Sequence, residues 1–133
     1  MKEASGSGGS NGDGKESHPE FSFFNVAELH EKLKVKFSNI LLVTADEAGS
    51  RNKLLFLKNE TREYTLMNIS FADLLNHSPK LVMVNKFALL SLDAVHSWRY
   101  DFITLDNLFP GWDNKQVVLG RNYRKMFYLK IQS

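Results

Sequence analysis

The side chains that most often carry catalysis are scattered along this sequence. None of the four histidines lies at metal-ligand spacing from another or beside a recognisable nucleophile. The adjacent acids Asp46 and Glu47 precede Gly49 in a polar segment, which is typical of a solvated loop rather than of an acid/base pair. The chain contains no cysteine, which excludes disulfides, thiolate metal sites and thiol nucleophiles. The sequence therefore predicts no enzyme activity, no metal, no cofactor and no small-molecule substrate.

Cations near the C-terminus are better suited to binding anions. Arg121 and Arg124 stand at the predicted start of a helix, where the helix dipole makes a cation unfavourable by roughly a few tenths of a kcal/mol. The free N–H groups of a helix start bind anions, so arginines added there favour a phosphate or a guanine site. The alternative is that these arginines form ion pairs with Asp93 or Asp106, and the sequence alone leaves both open.

The distribution of charge agrees with a basic C-terminal region. The net charge of the 133 residues is only +2. Residues 1–79 carry nine Lys and Arg against eleven Asp and Glu, whereas residues 80–133 carry eight against four. Such an excess is typical both of ordinary solvated surfaces and of nucleic-acid faces, so it supports an anion site at the arginines without establishing one.

Composition indicates one domain behind a linker. Residues 1–20 contain five Gly and four Ser with no aromatic residue, which predicts a flexible linker or leader. Residues 21–133 carry the chain's aromatic residues and are long enough for one core. No apolar run is long enough to span a bilayer, and the N-terminus lacks the apolar segment of a signal peptide, so we expect a cytoplasmic protein.

Short apolar runs broken by turn residues predict mainly strands. Residues 21–26 and 33–37 are interpreted as a hairpin, with a helix over residues 26–33 as the competing interpretation. Residues 40–44 form a continuous apolar run typical of a buried strand, and residues 54–57 and 64–69 indicate a second hairpin. Ser70 with Asp73 three residues later predicts the capped start of a short helix.

The last third predicts further strands and a final helix. Residues 81–84 form a strand that leads into Asn85-Lys86-Phe87, and the core continues through residues 88–95. Alternation over residues 96–104 predicts one strand with His96, Trp98, Tyr100 and Phe102 on one face. After an aromatic turn at residues 107–114 and a strand at 116–119, residues 121–131 predict a helix. Its apolar face is predicted to comprise Tyr123, Met126, Phe127 and Ile131.

The order of these elements over about 110 residues resembles the LytTR domain of bacterial transcription regulators. The resemblance depends on the strand Ile40-Leu41-Leu42-Val43, the short helix after Ser70, the strand entering Asn85-Lys86-Phe87, and the segment from Val118 to Lys125. It implies an elongated, mainly-β fold with one short internal and one short C-terminal helix. It also implies a cytoplasmic domain that contacts double-stranded promoter DNA, typically in a response regulator of a two-component system.

Three surfaces contact DNA in that family, and each matches a polar or basic segment here. The implied DNA-binding residues are Arg51, Asn52 and Lys53 after the residue 40 strand, Asn85 and Lys86 at the tip, and Arg121, Asn122 and Arg124 at the last helix. Asn85-Lys86-Phe87 replaces the family's usual His-Arg-Ser tip, which leaves fewer side chains that can donate hydrogen bonds to bases. Ser91 stands where the family usually has a buried Asn.

Two functions follow from the resemblance. The first is a sequence-specific DNA-binding domain that forms a homodimer on repeated half-sites and is tethered to an upstream receiver or membrane sensor domain. The second is a LytTR-like domain with weakened DNA binding that acts as a protein-interaction module through Phe87, Phe109 and Trp112.

Overall fold

The structure is a computed structural model that describes residues 19–47, 51–106 and 116–132. The strands of these residues are, in chain order, β1 (Phe21–Val26), β2 (Glu31–Lys36), β3 (Ile40–Ala45), β4 (Lys53–Leu57), β5 (Tyr64–Leu66), β6 (Leu81–Asn85), β7 (Ala88–Ser91), β8 (Val95–Trp98), β9 (Phe102–Leu105) and β10 (Gln116–Val118). The helices are α1 (Phe71–Leu75) and α2 (Arg124–Ile131), and 3-10 turns span Phe37–Asn39, Leu92–Ala94 and Arg121–Tyr123. The predicted mainly-β fold with two short helices is confirmed.

Two predictions fall outside the described residues. Residues 1–18 make up nearly all of the predicted linker, and residues 107–114 are the predicted aromatic turn that contains Phe109 and Trp112. Both stay predictions.

The strands form two antiparallel sheets. Seven of the described strands pair in the order β2-β1-β5-β4-β3-β7-β6, and three pair in the order β10-β9-β8. Successive side chains of a strand point to opposite faces, and β7 shows the result, since Leu89 belongs to one buried cluster and Leu90 to another. The first cluster, which includes Leu74 of α1, covers one face of the large sheet. The second joins the other face to the small sheet and to Phe127 of α2.

The first hairpin is confirmed, and the competing helix is wrong. β1 and β2 pair from Phe21↔Lys36 to Val26↔Glu31, and residues 27–30 form the turn between them. His30 has a φ of 56°, a left-handed conformation that ends any right-handed helix there. The helical spacing of Val26, Leu29 and Leu33 therefore arises from a turn residue, Leu29, that lies between two strand residues.

Glu28 attaches this turn to β5. Its carboxylate accepts hydrogen bonds from the Thr65 N–H at 2.9 Å and the Thr65 hydroxyl at 2.7 Å. Burial alone would raise the pKa of the Glu28 carboxyl, but these hydrogen bonds outweigh it and hold the pKa below its ordinary value. The contact orders the turn from a residue 37 positions away.

The predicted helix cap is present, whereas the strand before it is shorter than predicted. β5 ends at Leu66 rather than at Ile69, and Asn68 has a φ of 53°, outside the β region. The Ser70 hydroxyl accepts from the Asp73 N–H at 3.1 Å, and the Asp73 carboxylate accepts from the Ser70 N–H at 3.2 Å. This reciprocal pair fixes the start of α1.

The single strand predicted over residues 96–104 is wrong. Instead, β8 and β9 form a hairpin closed by the hydrogen bond from the Arg99 N–H to the Phe102 carbonyl at 2.7 Å. Trp98 pairs with Ile103, so it lies on the opposite face of the hairpin from Phe102. The faces therefore switch at the turn, but Tyr100 within it continues the aromatic alternation of the sequence, which is why the pattern does not reveal it.

Candidate nucleic-acid interface

Three polar connections lie at the same end of the large sheet. The end of β3 is next to the start of β4, since Ala45 pairs with Lys53. It is also next to the β6–β7 turn, because the Ala45 N–H donates to the Phe87 carbonyl at 2.8 Å. The Gly120 N–H donates to the Val84 carbonyl at 2.8 Å, which brings the start of the last helix beside the same turn. The sheet therefore brings together the three segments predicted from the resemblance.

At the β3–β4 connection, Arg51 is exposed and is held by Asn68. Its Nε donates to the Asn68 Oδ1 at 2.7 Å, and the Arg51 carbonyl accepts from the Ile69 N–H at 2.8 Å. The Asn52 Oδ1 accepts from the Asn68 N–H at 3.2 Å, so its half-buried side chain supports the connection. Arg51 retains other guanidinium donors on the solvent side.

Lys53 lies in a different environment from its neighbours. Its side chain is only 6% exposed, and its Nζ lies 5.0 Å from the ring centroid of Phe71. Burial lowers the pKa of the Lys53 ammonium, and the nearby Arg51 charge lowers it further. In this conformation Lys53 packs under α1 rather than facing outward with Arg51.

The β6–β7 turn is held together by Asn85. Its Nδ2 donates to the Val118 carbonyl at 2.8 Å, and its Oδ1 accepts from the Phe87 N–H at 2.8 Å. Both polar atoms of Asn85 therefore support the turn and its contact with β10. Lys86 remains exposed, with its Nζ 5.7 Å from the Phe87 ring centroid, and Phe87 itself is 63% exposed.

Gly120 allows the β6–β7 turn and the last helix to approach closely. A Cβ at this position would lie 3.2 Å from a ring carbon of Tyr123 and 3.6 Å from the Asn85 Cβ. Beside this contact is a groove of about 420 Å³ whose walls include Lys86, Phe87 and Arg121. Two cations, Lys86 and Arg121, therefore line one groove.

The last helix begins later than predicted. A 3-10 turn spans Arg121–Tyr123 and the α-helix starts at Arg124, so the two arginines belong to different elements. Arg121 and Asn122 are exposed. Phe127 is buried as predicted, but Met126 is 53% exposed, so its predicted place on the apolar face is wrong. Adjacent residues of a helix point about 100° apart, so Met126 turns towards solvent when Phe127 faces the core.

Arg124 contacts an aromatic residue that the sequence did not indicate. Its guanidinium carbon lies 3.7 Å from the ring centroid of Tyr100, and its Nε is buried without a hydrogen-bond partner among the described residues. Tyr100 lies in the β8–β9 turn, which reaches this end of the sheet because the Leu119 N–H donates to the Asp101 carbonyl at 2.9 Å. The signal was missed because the turn was interpreted as part of a strand.

The acids proposed as alternative partners of the arginines are engaged elsewhere. Asp93 pairs with Lys80 at 3.2 Å, and Asp106 lies 3.4 Å from the His96 Nδ1. Two carboxylates also lie at this end of the sheet. Asp46 and Glu47 belong to the β3–β4 connection and line a second groove beside Phe87. The arrangement suits an anionic ligand that enters from the side of Lys86, Arg121 and Arg124.

Neither a metal site nor a membrane span is found in the described part of the chain. Its His, Asp and Glu side chains form no group that would hold a metal ion. None of its helices has the length and apolar character needed to cross a bilayer.

Comparisons with known proteins bear on the fold. No family model and no curated protein matches this sequence. A solved structure that it resembles is the LytTr DNA-binding domain of a protein described as a methyl-accepting/DNA response regulator from Bacillus cereus. The likeness has a TM-score of 0.62 at 9% sequence identity and covers 86% of this chain and 99% of that one. The fold predicted from the resemblance is therefore confirmed, and this chain has the LytTR-type fold.

Proposed function

We propose that this chain is the sequence-specific DNA-binding domain of a bacterial transcription regulator and that it contacts double-stranded promoter DNA with one end of its large sheet. The observation that carries the proposal is the convergence of three connections that expose Arg51, Lys86 and Arg121 at that end. Cations spaced along a protein edge match the phosphates of a duplex. The name of the similar Bacillus cereus domain, which states that it binds DNA, supports the same conclusion.

The contacts differ in their proposed roles. Arg121 is exposed on a short turn beside an open groove, and arginine reads guanine through two hydrogen bonds, so we assign it a base contact. Asn122 beside it is assigned a polar contact. Lys86, Arg51 and Arg124 are assigned to phosphates, which they bind without sequence preference.

The remaining predicted residues are assigned to support rather than to contact. Asn85 and Asn52 use their side-chain oxygens, and in Asn85 also the amide N–H, to hold the turns. Lys53 is buried under α1. We therefore propose that these three position the exposed cations, and that Tyr100 holds Arg124 in place by stacking.

Arg121→Ala tests the base contact, with Arg62→Ala as the matched control. Arg62 is also exposed and also lies beside an aromatic ring, but it belongs to the β4–β5 connection at the opposite end of β4. After selection of a preferred site from a random duplex library, anisotropy titrations should show that Arg121→Ala weakens binding by about 1–3 kcal/mol and flattens the preference at one base. Arg62→Ala should bind as the wild type does.

Three further outcomes of this titration are equally informative. An equal loss on all duplexes would make Arg121 a phosphate contact. No loss at all would remove the start of the last helix from the interface. A folded protein that binds no duplex even at low salt would favour the alternative, a protein-interaction module that uses the exposed ring of Phe87.

We further propose that two copies bind repeated half-sites and that an upstream receiver or sensor domain controls this pairing. A single domain of this size offers few base contacts, so two half-sites would raise specificity. The pairing is tested by measuring the affinity for duplexes that carry one or two copies of the selected site at several spacings. Affinity that is independent of the second copy at every spacing would contradict the dimer.

A further inference from the structure

The outward face of the β1–β2 hairpin carries exposed phenylalanines. Phe24 and Val26 of β1 are buried in the first core cluster, so Phe21 and Phe23, at the alternate positions, point to the opposite face. Phe21 is 40% exposed and Phe23 is 54% exposed. Large aromatic side chains on an open strand face are unusual, because burial of such rings is strongly favourable.

Lysines stand opposite these rings on β2. Lys36 pairs with Phe21, Lys34 with Phe23, and Lys32 with Asn25, and all three lysines are exposed. In this register no carboxylate lies opposite a lysine, since Glu31 pairs with Val26 on the other face. We call Phe21, Phe23, Lys32, Lys34 and Lys36 the lysine ladder.

The side chains of the lysine ladder are in contact with one another. The Lys34 Nζ lies 4.3 Å from the ring centroid of Phe21. The rings of Phe21 and Phe23 lie 5.8 Å apart and nearly perpendicular, at 84°. Cations and aromatic rings therefore alternate across the face within a few ångströms, and the two kinds of group can contact one ligand together.

No described residue covers the lysine ladder. The small sheet and α2 pack on the same face of the large sheet, but over β3, β4, β6 and β7. β1 and β2 lie at the other edge, with β2 as the last strand. In the order of the sheet, β5, β4 and β3 lie between the ladder strands and β7.

We propose that the lysine ladder binds single-stranded nucleic acid, with the lysines on its phosphates and the phenylalanine rings against its unpaired bases. Alternate residues of a strand are about 6.8 Å apart, so the three lysines form a straight row that an extended backbone can follow. Proteins that bind single strands combine such a basic track with aromatic side chains on which bases stack. A duplex keeps its base faces inside, so exposed rings favour a single strand.

Edge protection and membrane binding each account for only part of the pattern. Lysines on an edge strand oppose pairing with other sheets, but that role needs no exposed phenylalanines. An anionic bilayer would attract lysines and aromatics alike, but these rings lie within a paired strand rather than on a projecting loop. Under either of these roles, substitutions in the lysine ladder should leave the binding of a single strand unchanged.

Variants of the full chain test the proposal, because the chain offers an exposed Phe and an exposed Arg outside the ladder as controls. Phe23→Ala and Lys34→Gln alter the lysine ladder. Phe87→Ala is the control for the ring, and Arg99→Gln, at an exposed arginine just after β8, is the control for the cation. Lys86→Gln alters the cation of the β6–β7 turn. The probe is a labelled oligothymidine of about 12 nucleotides, titrated by anisotropy at two salt concentrations. Phe23→Ala should weaken binding about 5- to 100-fold. Lys34→Gln should lower the slope of log affinity against log salt by about 0.7.

The control variants Phe87→Ala and Arg99→Gln should bind the oligothymidine as the wild type does. Phe23→Tyr, which keeps a ring, should retain binding, while Phe23→Leu, which keeps only apolar bulk, should lose it. Melting curves of all variants show which remain folded, and the Tyr and Leu pair decides the matter if Phe23→Ala does not fold.

Three results would overturn the proposal. Equal binding of the ladder variants and the wild type to both the oligothymidine and phosphatidylserine vesicles would leave only edge protection. Loss confined to the Phe87 and Lys86 variants would place the single strand at the β6–β7 turn. Unchanged oligothymidine binding by the ladder variants, with lost binding to phosphatidylserine vesicles, would make the ladder a membrane contact. None of these depends on duplex binding, which the Arg121 variant tests separately.

Discussion

At the scale of single residues, Lys53 and Lys86 show that charge alone does not define the interface. Lys53 is buried beside Phe71, and burial lowers the pKa of its ammonium. The charged form is therefore less stable in the folded than in the unfolded chain. The free energy of unfolding should consequently rise as the pH increases through the folded pKa. Lys53→Met removes that charge while keeping an apolar stem. We expect unchanged or increased melting temperature and an unchanged salt slope of duplex binding. Lys86→Ala should instead lower the slope by about 0.9. An equal fall in both variants would show that Lys53 reaches a phosphate.

At the scale of elements, the cap of α1 carries a pH dependence. Hydrogen bonds with Ser70 hold the pKa of the Asp73 carboxyl below its ordinary value, 3.8. The stabilisation from this carboxylate is therefore complete above the unfolded pKa and lost as the pH falls through the lower folded pKa. Asp73→Asn should reduce the acid sensitivity of unfolding in urea, and Ser70→Ala should cost about 1 kcal/mol at neutral pH. Glu31→Gln, which removes an exposed carboxyl of β2, is the control. An acid profile that Asp73→Asn leaves unchanged would contradict a stabilising role for the ionised cap.

At the scale of the whole molecule, the N-terminal segment and β1 should contribute differently to stability. Residues 1–18 are rich in Gly and Ser, with only Met1 and Ala4 as apolar residues, so they can bury little surface. Their deletion should leave the melting temperature and the duplex affinity nearly unchanged. Deletion through Val26 removes a strand that supplies Phe24 and Val26 to the core, and it should unfold the domain. A large fall in melting temperature after the first deletion would show that the segment packs on the domain.

The element types were largely predictable because they depend on local patterns. The alternation in β2, the continuous apolar run of β3 and the Ser70 and Asp73 cap each involve neighbours a few residues apart. The burial of Lys53 could also have been predicted, because it lies two residues before Leu55 and so on the same face of β4 as Leu55 and Leu57. It was not predicted because β4 was expected to begin one residue later. Local pattern fails where a turn residue continues the alternation of the strands, as Tyr100 does between β8 and β9.

The roles of the site residues were decided by tertiary structure. Sequence alone placed polar or basic residues in three segments and, through the family resemblance, implied that they act together. It had no means to show that Asn85 donates to Val118, 33 residues away, that Tyr100 stacks on Arg124, or that Phe21 and Phe23 lie beside a row of lysines on an open face. Such contacts depend on sheet order and register. These are determined by how the whole core packs, because every strand must bury one face against partners that are distant in sequence.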